Sequence, residues 1–191
     1  LLPERRFLAD MLENLNEKRD SVHFEGMADH LVSESIYIRD PDFNGIEIYC
    51  DRPRSEWVWD GSRVRMATER LDVGGLLKEK TERGWNGMPA RTVIGHMHLH
   101  VSNLEKASAF YSEILGLNLT SMFPGAHFFA AGGYHHHIAT NVWLGKDVAP
   151  AALLKALGHE VVEKGLGIDY RALFASRGPA AAANFAAGMA R

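Results

Sequence analysis

Two groups of histidines carry most of the chemistry that this sequence can perform. His96, His98 and His100 alternate with apolar residues within residues 94–101, and three more histidines follow at positions 135–137. An alternation with period two places the first three imidazoles on one face of a β-strand and the apolar side chains on the other. Imidazole binds first-row metal ions and transfers protons near neutral pH. The pattern therefore predicts a metal-binding or proton-transferring site on the face of a sheet.

An amphipathic helix is predicted directly after this strand. Ser102 and Glu105 have the spacing of a capping box, and Gly116 can end the helix. Its apolar residues fall on one side and are Leu104, Ala107, Phe110, Tyr111, Ile114 and Leu115. We expect strand and helix to bury their apolar sides against each other, with the imidazoles turned away from the helix toward a cavity.

The second histidine group belongs to the last of three further strands, predicted at 118–122, 126–131 and 135–143. Gly132 and Gly133 supply the turn before the last strand. Alternation within that strand puts His135 and His137 on one face with Trp143, and His136 on the opposite face. Two of the three histidines are therefore expected to face the cavity.

The N-terminal part of the chain combines a helix with a β-hairpin. An apolar stripe predicts a helix over residues 3–19, and residues 35–39 and 45–50 alternate on either side of turn-forming residues 40–44. Glu47 shares a strand face with the aromatic Tyr49.

Two other stretches have different compositions. Residues 51–91 are charged, carry Trp57, Trp59 and Trp85, and have no sustained period, so we interpret them as a connection anchored by aromatic side chains. Beyond residue 146 the chain is rich in alanine, and its pattern predicts a helix at 149–157, strands at 160–163 and 168–175, and a helix at 179–191.

Composition bounds the class of protein. The 191 residues are 46% hydrophobic, enough for a sizeable core, and the net charge of -3 with interspersed signs offers no basic surface for nucleic acid or membrane. Cys50 is the single cysteine, and no apolar run approaches the roughly 20 residues of a membrane span. These features predict a cytoplasmic protein whose partners are small molecules or protein.

Three motifs resemble the vicinal oxygen chelate superfamily, which contains glyoxalase I, bleomycin-resistance proteins and extradiol ring-cleaving dioxygenases. They are I-x-H-x-x-L-x-V-S-x-L-x-x-A-x-x-F-Y-x-x-I-L-G over 94–116, I-Y-x-x-D-P-D-x-N-G-I-E-I-Y over 36–49, and G-G-Y-H-H-H-I over 132–138. The last is similar to the two-domain catechol-2,3-dioxygenase branch of bacteria.

The resemblance implies an α+β fold of βαβββ modules that form cup-shaped mixed β-sheet barrels with flanking helices. Against that template the chain is expected to be incomplete, with a partial N-terminal module at 1–55, a linker at 56–91 and a C-terminal vicinal oxygen chelate domain at 92–191 whose second module is divergent or truncated. An unpaired sheet edge in such a chain favours a homo-oligomer.

The same resemblance implies a function and a set of site residues. The expected reaction is extradiol cleavage of a catechol-type aromatic diol by O₂ at a single Fe(II) or Mn(II) ion. His96 matches the first metal ligand, Glu47 matches a carboxylate-ligand position, and His137 matches the acid/base that handles the protons of the diol and the peroxide. The residues expected to contact substrate are His98, His135, Trp143 and Tyr170.

Several positions depart from the family pattern. Tyr170 stands where the second metal histidine is expected, and Phe43 replaces the glycine usual in the turn of the hairpin, so that Asn44 is expected to adopt the left-handed conformation instead. Two alternatives therefore stay open. One is a glyoxalase-like isomerase or lyase that uses its metal without O₂, and the other is a non-catalytic protein that binds small molecules as bleomycin-resistance proteins do.

Overall fold

A computed structural model describes residues 1–143, which form two compact units. Unit 1 contains Leu1–Asp60 and Val64–Gly95, and unit 2 contains Gly61–Arg63 and the described chain from His96 onward. Within these residues no helix is both long enough and apolar enough to cross a bilayer. Tyr170 and the helices and strands predicted beyond residue 146 lie outside the described residues.

Unit 1 packs one long helix against a three-stranded antiparallel sheet of order β1-β2-β3. Its elements are α1 (Arg5–Glu17), β1 (His23–Asp29), β2 (Ser33–Arg39), β3 (Gly45–Asp51) and α2 (Val73–Leu77), with short 3₁₀ turns at Arg19–Ser21 and Arg54–Glu56. A small hairpin of β4 (Trp59–Asp60) and β5 (Arg63–Val64) precedes α2. The predicted helix and the predicted hairpin are both present.

The core of unit 1 lies between α1 and one face of the sheet. The predicted apolar stripe of α1 is buried at Leu8, Met11, Leu12 and Leu15. The sheet contributes the residues of β2 and β3 that alternate toward the helix, namely Ile36, Ile48 and Cys50. The opposite face of this sheet carries polar side chains such as Ser35, Tyr37 and Glu47.

The stretch interpreted as a linker is packed into unit 1. Leu71 and Leu76 are buried in the same core as α1, and Trp57 is buried as well. The carboxylate of Asp10 on α1 accepts hydrogen bonds from the Thr81 amide and hydroxyl at 2.7 and 2.8 Å. These anchors are widely spaced, and the one helix among them, α2, has only five residues, so they leave no sustained period in the sequence.

Strand β1 was not predicted, because its sequence contains charged residues and a glycine. Gly26 has φ 154°, and the pairing of β1 with β2 shifts register between Phe24 and Gly26. A β-bulge of this kind interrupts the alternation that identifies a strand.

The turn of the β2–β3 hairpin differs from the prediction in one residue. Phe43, not Asn44, has the left-handed backbone conformation, with φ 65°. Asn44 is held in its own position because its amide and its side-chain nitrogen both donate to the carboxylate of Asp40, each at 2.8 Å. The turn therefore places a bulky residue where a Cβ is disfavoured.

Unit 2 has the predicted order of strand, helix and three strands, and its fold class is α+β as expected. The elements are β6 (Met97–His100), α3 (Leu104–Ser108), β7 (Asn118–Phe123), β8 (Ala126–Ala130) and β9 (Ile138–Asn141), in a sheet of order β6-β9-β8-β7. Strand β6 is parallel to β9, and the other pairs are antiparallel.

Helix α3 differs from the prediction at both ends. Asn103, not Ser102, caps it by accepting a hydrogen bond from the Lys106 amide. After Ser108 the helix continues as the wider π-helical segment Ala109–Ile114, which changes the angular spacing of its side chains. The predicted apolar stripe is consequently only partly buried: Ala107 is buried, whereas Phe110, Ile114 and Leu115 are exposed. Gly116 follows with φ 74°, as predicted for the residue that ends the helix.

The two units repeat one arrangement. In unit 1 Leu2 forms a single parallel bridge with Cys50 on β3, in the place that β6 takes beside β9 in unit 2. Each unit thus has a parallel segment next to its last strand, a helix, and three antiparallel strands.

The Phe43 turn generates a stability prediction. Replacing Phe43 with glycine removes a left-handed strain that typically costs about 1–2 kcal/mol, offset in part by the loss of its ring contact with His23. We expect Phe43→Gly to raise the free energy of unfolding measured with urea. The matched change Asn44→Gly removes a hydrogen bond to Asp40 and should lower it, and the reverse order of the two variants would contradict the turn geometry described here.

Candidate metal centre

The register of the unit 2 sheet determines which side chains share a face. His98 pairs with Ala139, which pairs with Phe128, so these three side chains lie in one row on one face. The neighbouring row contains Phe129, whose ring lies 5.4 Å from that of Tyr111 on the helix. The face bearing His98 is therefore the one turned away from the helix, as the alternation predicts.

A hydrogen bond fixes the helix on its own face of the sheet. The hydroxyl of Ser108 and Nδ1 of His127 are 2.7 Å apart. Burial lowers the pKa of His127, against the opposing effect of Glu105, so its imidazole is neutral at neutral pH. The contact that sets helix against sheet thus requires no charged group.

Three imidazoles converge on the face away from the helix. One ring nitrogen from each of His96, His98 and His136 lies within 4.8 Å of the others. The ring centroids of His96 and His136 are 4.2 Å apart, and that of His98 lies 5.1 Å from His96 and 5.3 Å from His136. We call these three residues the histidine cluster.

The histidine cluster is closed on one side and accessible on the other. His136 is buried, with 7% exposure, whereas His96 is partly buried and His98 is exposed. The ring of Phe128 is buried and lies 5.0 Å from that of His136 and 6.1 Å from that of His98. This apolar wall shields one side of the imidazoles from water, while a small molecule can approach from the side of His98.

His136 joins the cluster because the backbone before β9 is not a strand. Gly132 and Gly133 have φ 63° and 64°, and β9 begins only at Ile138. Residues 134–137 therefore do not follow the alternation that predicts His136 on the opposite face. The glycine pair was the available signal that the strand starts later than position 135.

His135 and His136 are neighbours in the chain and also in space. Their Nδ1 atoms are 2.7 Å apart, and both rings are buried, His135 completely. The ring of His135 packs 4.1 Å from that of Tyr134 and 6.1 Å from that of His96. His135, predicted to contact substrate, thus lies behind His136.

Among the described residues of unit 2, the other predicted site residues lie outside the cluster. His137 is exposed, stacks on Tyr134 at 4.9 Å, and accepts a hydrogen bond from the Ala131 amide. Trp143 is also exposed, and its indole donates to the carbonyl of Pro124 in the β7–β8 turn. His100 lies farther along β6, 3.4 Å from the side-chain oxygen of Asn141.

Glu47 belongs to a separate hydrogen-bonded group in unit 1. Its Oε1 accepts bonds from Ser35 and from Tyr37, at 2.7 and 2.9 Å, and the Tyr37 hydroxyl also lies 2.6 Å from Nε2 of His30. Burial, followed by the nearby Glu47 charge, raises the pKa of Tyr37 well above its usual value, so the phenol stays protonated. The assignment of Glu47 as a metal ligand stays a prediction.

The donor set of the histidine cluster fits a first-row divalent metal ion. Neutral imidazole nitrogens suit iron, zinc, copper and nickel, and nitrogens that share one ion lie about 3 Å apart. The 4.8 Å limit within the cluster requires only small ring movements to reach that spacing. Three ligands on one side of an ion would leave positions for substrate oxygens.

Comparison with known proteins gives a matching family and a related enzyme. The model of the glyoxalase/bleomycin resistance protein/dioxygenase superfamily matches residues 93–165, which include the whole histidine cluster. The chain is also 46% identical over 154 residues to a catechol-2,3-dioxygenase of Bacillus subtilis (strain 168).

The two matches confirm the resemblance that the sequence motifs indicate. The match to the Bacillus protein covers 78% of this chain and 53% of the relative, so the chain spans about half the length of the curated relative that it matches.

Two solved structures show a weaker likeness to this chain. A Mn(II)-bound glyoxalase from Novosphingobium aromaticivorans has a TM-score of 0.26 and 19% identity, over 73% of this chain and 39% of that one. The 2,2',3-trihydroxybiphenyl 1,2-dioxygenase from Sphingomonas wittichii strain RW1 has a TM-score of 0.25 and 16% identity, over 80% of this chain and 56% of that one. TM-scores this low carry no information about the chemistry of this chain.

The histidine cluster predicts metal binding that depends on His96. The purified chain, treated with a chelator and then given Fe(II) or Mn(II) without oxygen, is expected to retain about one metal ion, measured by elemental analysis after desalting. The variant His96→Ala should retain much less, and the control His23→Ala, in unit 1, should match the parent. Equal metal content in the parent and in His96→Ala would remove His96 from the site.

Proposed function

We propose that this chain supplies the metal-binding part of an extradiol dioxygenase that acts on a catechol-type aromatic diol with O₂. The observation that carries the proposal is the convergence of His96, His98 and His136 on the sheet face away from the helix. The name of the Bacillus relative, a catechol-2,3-dioxygenase, supports the substrate class and the reaction. The metal is Fe(II) or Mn(II), in a single mononuclear site.

A bound ion would supply adjacent binding positions for both diol oxygens and O₂. His96 and His136 would hold the ion from the buried side of the cluster. His98, the exposed member, contacts the incoming diol or completes the ligand set. Phe128 excludes water from the inner side and so strengthens polar interactions at the imidazoles.

Proton transfer during ring cleavage requires an imidazole within hydrogen-bond reach of the bound diol. The family resemblance assigns this role to His137, whereas the imidazole nitrogens that lie within 4.8 Å of one another belong to His96, His98 and His136. The role of His137 therefore remains a prediction that needs a direct comparison with His136.

Two alternatives use the same cluster. A glyoxalase-like isomerase or lyase would bind vicinal oxygens to the ion without consuming O₂, and the superfamily match is compatible with it. A protein that only sequesters an aromatic ligand would need the apolar wall of Phe128 but no metal. The predicted homo-oligomer and the predicted cytoplasmic location remain predictions under each alternative.

The dioxygenase proposal predicts oxygen uptake by the full chain. After anaerobic loading with Fe(II) or Mn(II), catechol should be consumed together with one O₂ per diol, measured with an oxygen electrode and by chromatography of the diol. The chain loaded with Zn(II), which has no redox chemistry, is the matched control and should consume none.

Three outcomes separate the alternatives. Coupled loss of catechol and O₂ supports the dioxygenase. Metal-dependent conversion of a glyoxalase substrate without O₂ uptake supports the isomerase or lyase. Binding of catechol with equal affinity in the chelator-treated chain, without turnover, supports sequestration and overturns the enzyme proposal.

The acid/base role is tested by the variants His137→Ala and His136→Ala. A variant that lacks the general acid/base but keeps all metal ligands should turn over about 10²–10⁴-fold more slowly and retain its metal. We expect His136→Ala to lose metal as well as turnover, because it belongs to the histidine cluster. Unchanged turnover in His137→Ala would remove the assignment made from sequence.

A further inference from the structure

We propose that His135 is a positioning residue that fixes the orientation and the proton of His136. This inference rests on the proposed function, because it concerns how one imidazole of the histidine cluster is prepared to bind metal. The observation behind it is the 2.7 Å distance between the two Nδ1 atoms, inside a buried pair of adjacent residues.

The bond between the two rings restricts where protons can lie. A neutral imidazole carries a proton on one nitrogen and a lone pair on the other, so one Nδ1 must donate and the other must accept. His136 can bind an ion through Nε2 only if that nitrogen holds the lone pair. Its proton must then lie on Nδ1 and be donated to Nδ1 of His135.

His135 is itself held in place by its neighbours. Its ring is fully buried and packs 4.1 Å from the ring of Tyr134 at an angle of 33°. Its backbone carbonyl accepts a hydrogen bond from the hydroxyl of Thr120 on β7. An acceptor fixed in this way can orient the ring of His136 toward His96, whose centroid is 4.2 Å away.

This arrangement is possible because of the irregular backbone before β9. In a regular strand, side chains of adjacent residues point to opposite faces of the sheet and cannot meet. The left-handed glycines 132 and 133 precede the segment and allow both rings to be buried on the same side. Partners that orient a metal-binding histidine through its second nitrogen typically account for 10–100-fold in metal affinity.

The test compares two substitutions with opposite chemistry. His135→Phe keeps a ring of similar size against Tyr134 but has no acceptor for His136. His135→Asn loses the ring but offers its side-chain oxygen near the position of Nδ1. The probe is Co(II), whose visible absorption reports the ligands, titrated under argon into the metal-free full chain against a competing chelator.

We expect His135→Phe to bind Co(II) about 10–100-fold more weakly than the parent, and His135→Asn to recover much of that loss. Thermal unfolding followed by circular dichroism should show that both variants fold. Equal affinity in the parent and in His135→Phe would overturn the inference, as would weaker binding by His135→Asn than by His135→Phe.

A second measurement reads the proton position without any metal. Long-range ¹H–¹⁵N spectra of the metal-free chain should show His136 with its proton on Nδ1 in the parent and in His135→Asn, and a mixture of the two tautomers in His135→Phe. A proton on Nε2 of His136 in the parent would overturn the inference. Failure of the parent to bind Co(II) at all would overturn the proposed function instead, and the spectra would still decide the role of His135.

Discussion

The parallel pairing of β6 with β9 is the interaction on which the histidine cluster depends. Met97 pairs with Ile138 and His98 with Ala139, and this register places His96 and His98 beside the end of the irregular segment that carries His136. Since side chains alternate along a strand, a shift of one residue would turn the imidazoles of β6 toward the helix.

Both units divide their sheets in the same way. The helix covers one face, with Ile36 and Ile48 against α1 in unit 1 and Phe129 against Tyr111 in unit 2. The other face is left to polar groups, which form a His–Tyr–Glu hydrogen-bonded chain in unit 1 and the histidine cluster in unit 2. One arrangement of strands thus supports two polar sites of different composition, and the difference comes from the side chains on the uncovered face.

Sequence alone predicted the parts of the fold that have regular periodicity. The apolar stripe of α1, the β2–β3 hairpin and the face occupied by His96 and His98 all follow from alternation or helical spacing. The missed features break those periods: the bulge at Gly26 in β1, and the isolated anchors Leu71 and Leu76.

The same limit applied to the site. His136 was placed on the wrong face because alternation was assumed for residues that precede the strand. The π-helical turn after Ser108 likewise moved apolar side chains out of the stripe that an α-helix would give them. The pattern of residue types therefore predicts the side chains of regular elements. It does not predict the side chains of irregular backbone, such as the segment before β9 and the π-helical turn.

Strand β6 forms an edge of its sheet within the described residues, and it is four residues long. A short edge segment opens at a much smaller free-energy cost than the core it borders. His98 lies in this segment and His96 directly precedes it, whereas His136 is anchored behind Phe128. Fraying of this one strand would release two of the three imidazoles while the rest of the sheet stays folded. The residence time of an ion in the cluster would therefore depend on the rate of local opening and not on the rate of global unfolding.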